Sequence, residues 1–197
     1  MIDREIKSRL GQMTKGVEVV SARHQGLIRA YTSHWVTQVS FEEPVVMASI
    51  SPKHDTYPVL RGSGRFAVSI LGADQVAEGQ YFSYPGRKFR HIADEYLVEV
   101  DGEHPDGPID VVANCIAWLR CDVFAVEETV GGRALDHHLV FAHVVSTGDF
   151  GRLKEPTLLY SSRLGWRRCG DAAREKGVSI RDALLARLGA VGEDETV

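Results

Sequence analysis

What the 197 residues lack narrows the reading first. No run of eighteen apolar residues occurs, so no membrane span is expected, and the charged start MIDREIKSRL is no secretory leader. A cationic excess is missing too. Lys and Arg number 23 against 27 Asp and Glu, a net charge of −4, which argues against a nucleic-acid surface. Cysteine is scarce: Cys115, Cys121 and Cys169 form no C-x-x-C pair and cannot complete a disulfide framework. They are expected to be small, buried apolar residues. Internal repeats and low-complexity tracts are also absent. What remains, 44% hydrophobic and 25% charged residues, is an ordinary folded mixture at a length suited to one domain. A soluble cytoplasmic protein is the default expectation.

Periodicity supplies the elements. Ile2, Ile6, Leu10 and Met13 make one helical stripe, with Asp3 suited to the positive end of that helix. GVEVVSA (16–22) and LIRAY (27–31), joined by a turn at 23–26, read as a hairpin. VVMASIS (45–51) and RFAVSIL (65–71) are β-branched strands. Between them Asp55 caps a short helix to Leu60, with Pro58 in its first turn, and 74–82 reads as a further helix. Residues 114–128 and 135–148 flank Val130, Gly131, Gly132 and Arg133, strong hairpin chemistry. PTLLYS (156–161) is a last short strand.

Two stretches stand apart. Residues 83–111 open basic (Arg87, Lys88, Arg90), turn acidic and show no period, as a functional loop does. SIRDALLARLGAV (179–191) is an amphipathic helix with Ser179 as N-cap. The pattern predicts a mostly antiparallel β domain with peripheral helices, closed as a barrel to remove its edges. One domain is expected over 1–170, followed by a helical and acidic tail over 171–197.

Three candidates for chemistry emerge. GSGRFA (62–67) matches the dinucleotide pattern G-x-G-x-x-A, but that fingerprint needs a strand before it and a helix after. Here the strand follows, so these glycines are read as turn residues. Among His137, His138 and His143, strand alternation puts His137 and His143 on one face, roughly 20 Å apart at about 3.3 Å per residue. They cannot share a metal, and none is expected. The richest stretch is YTSHWVTQVSFEEPVV (31–46), which sets Thr32, Ser33, His34, Trp35, Thr37 and Gln38 just after a strand. Hydroxyls, an amide and free backbone N–H groups at a strand end suit a polar, anionic ligand, and Trp35 could cover an aromatic ring. SPKHDT (51–56) adds Ser51, Lys53, His54 and Thr56 at the end of the next strand, entering a helix N-terminus. A lysine and hydroxyls in that setting are what a phosphate needs.

The order GVEVVSA, YTSHWVTQVSFEEP, SPKHDT, SGRFAVSIL, DHHLVFAHVV, PTLLYSSRLGW resembles the flavin reductase-like family, from about Gly16 to Trp166. The resemblance implies a homodimer of six-stranded antiparallel split β-barrels of the FMN-binding type, with FMN, or FAD in its place, near the subunit interface. By position, Thr32, Ser33, His34 and Trp35 would line the isoalloxazine, and Thr37 and Gln38 its edge or the ribityl chain. Ser51, Lys53, His54 and Thr56 would hold the phosphate end. Asp136 and His137 match the family's late-strand pair, so His137 would face the nicotinamide as the catalytic candidate, with Tyr160 and Arg163 bordering the cleft.

The implied activity is NAD(P)H-dependent flavin reduction, with NAD(P)H as co-substrate and a partner monooxygenase as consumer. Alternatives in the same fold are a non-catalytic flavin or haem carrier, or an FMN enzyme reducing one small molecule. Without a dinucleotide domain, nicotinamide is expected to stack on the flavin, so transfer depends on proximity rather than on a protein base. Ala30, the Glu43–Pro44 pair and Ala142 depart from the family's Gly, Pro-Pro and Gly.

Overall fold

The computed structural model describes residues 3–83 and 96–169. The helix expected over 179–191, the Arg87–Arg90 group and part of the 83–111 loop lie outside those residues. Helix α1 (Arg4–Leu10) is N-capped by Asp3, whose carboxylate accepts from the Glu5 and Ile6 amides at 2.8 and 3.2 Å. Twelve strands follow among the described residues: β1 (Lys15–Gly16), β2 (Glu18–His24), β3 (Leu27–Ser33), β4 (Val36–Gln38), β5 (Val45–Ile50) and β6 (Arg65–Ile70). Then come β7 (Leu97–Val100), β8 (Ile109–Val112), β9 (Ala117–Val130), β10 (Arg133–Gly148), β11 (Leu158–Ser161) and β12 (Gly165–Arg168). Helices α2 (Thr56–Ser63) and α3 (Val76–Tyr81) interrupt them.

The main sheet runs β3-β2-β6-β9-β10-β5-β4, antiparallel throughout. Its seven strands correct the expected six; the extra one is β4, three residues inside the stretch read as a polar junction. The two edge strands, β3 and β4, are joined in the chain only by His34 and Trp35, so the curl stays split where those residues sit. Its inner face buries Val20, Tyr31, Ala48, Ile50, Phe66, Val68 and Val140 against Leu60 of α2. The outer face of β2 and β6 is covered by a second core containing Val111, Val112, Leu158 and Phe82.

Turn chemistry explains two hairpins. Gln25 and Gly26 (φ 50° and 78°) close β2–β3, and Gly131 and Gly132 (φ 57° and 75°) close β9–β10, the positive-φ pairs that a twisted two-residue hairpin requires. The GSGRFA glycines are only partly turn residues. Gly64 is the left-handed C-cap of α2, but Gly62 lies inside the helix, where an added Cβ would fall 2.7 Å from the His24 ring. Cys115 and Cys121 are buried as expected, whereas Cys169 is exposed.

Candidate functional site

A cavity of about 290 Å³ opens at the split. β3 supplies Tyr31, Thr32 and Ser33, and the link to β4 supplies His34 and Trp35. Ser49, Ile50 and Ser51 come from the end of β5, His54 from the loop into α2, His137 from β10 and Tyr160 from β11. Lys15 of β1 is also in the wall, and among the described lining residues there is no Asp or Glu. The cavity therefore presents one cation and many hydroxyls, a setting for an anionic or electron-rich ligand.

Local bonds fix these side chains. Thr32 donates its N–H to the Phe82 carbonyl (3.0 Å) and its hydroxyl to that of Gly79 (2.6 Å), tying β3 to the end of α3. The Trp35 N–H donates to the Ser33 hydroxyl (3.1 Å), and the Trp35 carbonyl accepts from the Ser49 N–H (2.9 Å), which tightens the link across the split. The His34 ring stacks flat on Tyr160, centroids 4.2 Å apart at 10°, and stands edge-on to Trp166. Its Nδ1 lies 3.3 Å from the Gly16 carbonyl, which assigns the proton to that nitrogen because a carbonyl only accepts.

Burial lowers the His34 pKa and Lys15 lowers it further, against the raising effect of the Gly16 bond. Burial likewise lowers that of His54, opposed by Asp55. Both rings are held toward the neutral form. Trp35, 47% exposed, offers an open aromatic face, with His137 edge-on to it at 4.8 Å and the Lys15 ammonium 5.8 Å from its ring centre.

His137 reaches the cavity through an irregularity. Between Ala134 and Leu139 the β10 register against β9 slips by three residues, so the strand bulges where His137 sits. His138 meets the Tyr57 hydroxyl at 2.7 Å, and His143 packs on Phe124. Among the described residues no His, Cys, Asp and Glu group is arranged to hold a metal.

Of the residues singled out from sequence, Thr32, Ser33, His34, Trp35, Ser51, His54, His137 and Tyr160 meet in this cavity. Thr37 and Gln38 instead line a separate one, on the far side of β4. Lys53 and Arg163 are exposed and outside the wall, and Thr56 is fully buried beneath it. Sequence reasoning missed Lys15, Tyr31, Ser49 and Ser162. Ser49 was legible as the residue two before Ser51 on one strand face; Lys15 was not, because the β1–β11 pairing that places it is non-local.

The site tolerates a flavin-like ligand on its own terms. Tyr31, whose buried hydroxyl has no hydrogen-bond partner within the protein, is one of the lining residues, and the donors of the wall are hydroxyls, ring N–H groups and one ammonium.

Comparison with known proteins agrees with this geometry. The profile of the flavin reductase like domain matches residues 10–165. The reductase component of 4-hydroxyphenylacetate 3-monooxygenase from Thermus thermophilus is 34% identical over 164 residues, spanning 82% of this chain and 93% of that protein. The NADH-dependent flavin reductase StyB of Pseudomonas fluorescens is 28% identical over 155 residues, 75% of this chain and 80% of its own length. The NADH:FAD oxidoreductase SgcE6 of Streptomyces globisporus superposes with a TM-score of 0.70 at 22% identity, covering 88% of this chain and 99% of that one. With the ordered motifs, the split sheet and a profile match over most of its length, this chain belongs to the flavin reductase-like family.

Proposed function

We propose that the chain is an NAD(P)H-dependent flavin reductase that delivers reduced flavin to a separate monooxygenase. The observation that carries this is the cavity at the split: aromatic walls, hydroxyl donors, Lys15 and, among the described lining residues, no carboxylate. The relatives named as reductase components of monooxygenases support the same assignment. FMN is the expected flavin, with FAD in its place as the other arm of the test. A flavin held there by the described wall residues would supply the hydride acceptor for a reduced nicotinamide.

The protein's own part is to bind and orient. His34, pinned by Tyr160 and Gly16, forms a rigid uncharged wall, while Trp35 offers its open face. Ser33, Ser51 and the Tyr31 hydroxyl are the donors available to carbonyl oxygens, where reduction builds up negative charge. His137, beside Trp35, positions the second ring or offsets charge there. Lys53, next to the cavity on the loop after Ser51, is the cation for a phosphate that extends outward. No residue is required as an obligatory base, since juxtaposition of two stacked rings supplies most of the rate.

The finer assignment is a cytoplasmic homodimer. Ile6 and Leu10 on one stripe of α1 and Met13 just after it are each at least half exposed, and Phe41 is 99% exposed, apolar surface that a second copy would cover. Nicotinamide absorbance, followed with the purified protein, FMN or FAD, and NADH or NADPH, tests the activity. Oxidation that requires both flavin and protein is expected; none with any of the four combinations overturns the assignment.

A further inference from the structure

A second cavity, of about 380 Å³, lies at the end of the curl where β2, β5 and β9 begin. Val36, Val46, Val68, Ile70, Leu119 and Val144 make its walls aliphatic from five strands. Among its described lining residues one carries an ionisable group, Glu18, at the start of β2. Its Oε2 is buried with no hydrogen-bond partner in the protein, and its carboxyl occupies the space that a Cβ on Gly16 would need. An unsatisfied carboxyl in an aliphatic chamber is costly, and cavities this size otherwise favour ring-sized apolar guests; an engineered one of about 150 Å³ holds benzene.

We propose that this chamber is a second binding site, apart from the flavin cavity, for a small alkyl ammonium whose apolar body fills the aliphatic walls and whose cationic head pairs with Glu18. Anions find no cation among the described lining residues to offset their desolvation, and the aliphatic walls disfavour highly polar molecules. A cation supplies the donors that Oε2 lacks, in the charge-assisted form that is roughly twice as strong as a neutral bond.

The surroundings of Glu18 leave it as the group that titrates. From β3 the facing ionisable side chain is Tyr31, whose own pKa burial drives upward. From β4 come uncharged Thr37 and Gln38, and from β5, β6, β9 and β10 aliphatic groups; Lys15 of β1 points to Trp35. Burial raises the Glu18 pKa to about 8, so the empty site holds a neutral acid at pH 7. Binding of an ammonium ionises the carboxyl and releases its proton to solvent. Affinity should therefore climb with pH up to about 8, while an alkyl amine with an ordinary pKa near ~10.4 stays charged.

Calorimetric titration of the full-length protein with cyclohexylamine and its neutral isostere cyclohexanol tests this, at pH 6.5 and 7.5 and in two buffers of different ionisation enthalpy. Saturable binding of the amine is expected, up to about tenfold tighter at the higher pH, with close to one proton released. Cyclohexanol should bind at least about tenfold more weakly, and Glu18→Gln should abolish the preference. Should that variant not fold, Val36→Trp, which fills the chamber from the edge strand, should remove binding instead. Absence of amine binding (as when a second copy covers the opening), equal affinity for the two probes, or insensitivity to both variants overturns the proposal.

Discussion

The His34 ring stacks on Tyr160, stands edge-on to Trp166 and gives its Nδ1 proton to the Gly16 carbonyl, and its burial favours the neutral ring. That has a consequence for stability. With the folded pKa below the ordinary value near ~6.5, the unfolded chain binds more protons between the two values. Stability is then fully present above pH ~6.5 and falls as the pH drops below it. His54 adds to the same acid limb. Urea unfolding measured from pH 7.5 down to pH 5 should show this decline, and His34→Phe, which keeps the stack but cannot titrate, should make it shallower. An identical slope in the variant would show that the ring is not held neutral. The residue-level reading of sequence was good where chemistry is local: the run Thr32 to Trp35 and the pair Ser51 and His54 do meet. It failed for Thr37 and Gln38 because the stretch after Trp35 turns into β4, which carries them to the other chamber.

At the scale of elements, the acidic stretch read as one long loop contains the hairpin of β7 and β8. Its strands, LVEV and IDVV, are four residues each, and β8 is buried on both faces, so neither shows alternation. The hairpin is anchored by long-range contacts instead. Arg120, fully buried on β9, donates Nε to the Asp101 carboxylate at 2.6 Å, and Ser146 of β10 donates to the same oxygen at 2.9 Å. Desolvation pushes the Asp101 pKa up, but the Ser146 bond and the Arg120 guanidinium outweigh it and hold the carboxyl below its usual value. Arg120→Met removes the partner of the part-exposed Asp101 carboxylate, which Ser146 still holds, and should cost about 1–3 kcal/mol in chemical denaturation. A cost under about 1 kcal/mol would show that the anchor contributes little. Strand β12 was also illegible, since Trp166 is the lone large apolar residue in GWRR and its pairing with β11 is what makes it a strand. The long β9–β10 hairpin was legible because its glycine pair and β-branched runs are strong local signals.

For the whole molecule, a plain and mildly acidic composition conceals two chambers of opposite character on one curled sheet. One is hydroxylic and aromatic at the split; the other is aliphatic with a single acid. The family resemblance was legible because its motifs keep their order along the chain, and the profile match over residues 10–165 bears it out. Closure of the sheet was not legible in detail, because the seventh strand and the split depend on pairings across the fold. The exposed stripe of α1 and Phe41 belong to this scale as well. Sedimentation equilibrium should give a dimer that Ile6→Glu combined with Phe41→Glu weakens, and a wild-type monomer at micromolar concentration would contradict the homodimer.

Flavin is proposed to bind at the split between β3 and β4, in the cavity that Ser51 at the end of β5 also lines. Equilibrium titration of FMN, followed by its fluorescence, tests it on the wild type and on Ser51→Trp, whose indole would fill the cavity. Saturable binding is expected of the wild type and at least about tenfold weaker binding of the variant, a loss of about 1.4 kcal/mol or more, with an unchanged circular dichroism spectrum. Equal FMN affinity in the two folded proteins would contradict it.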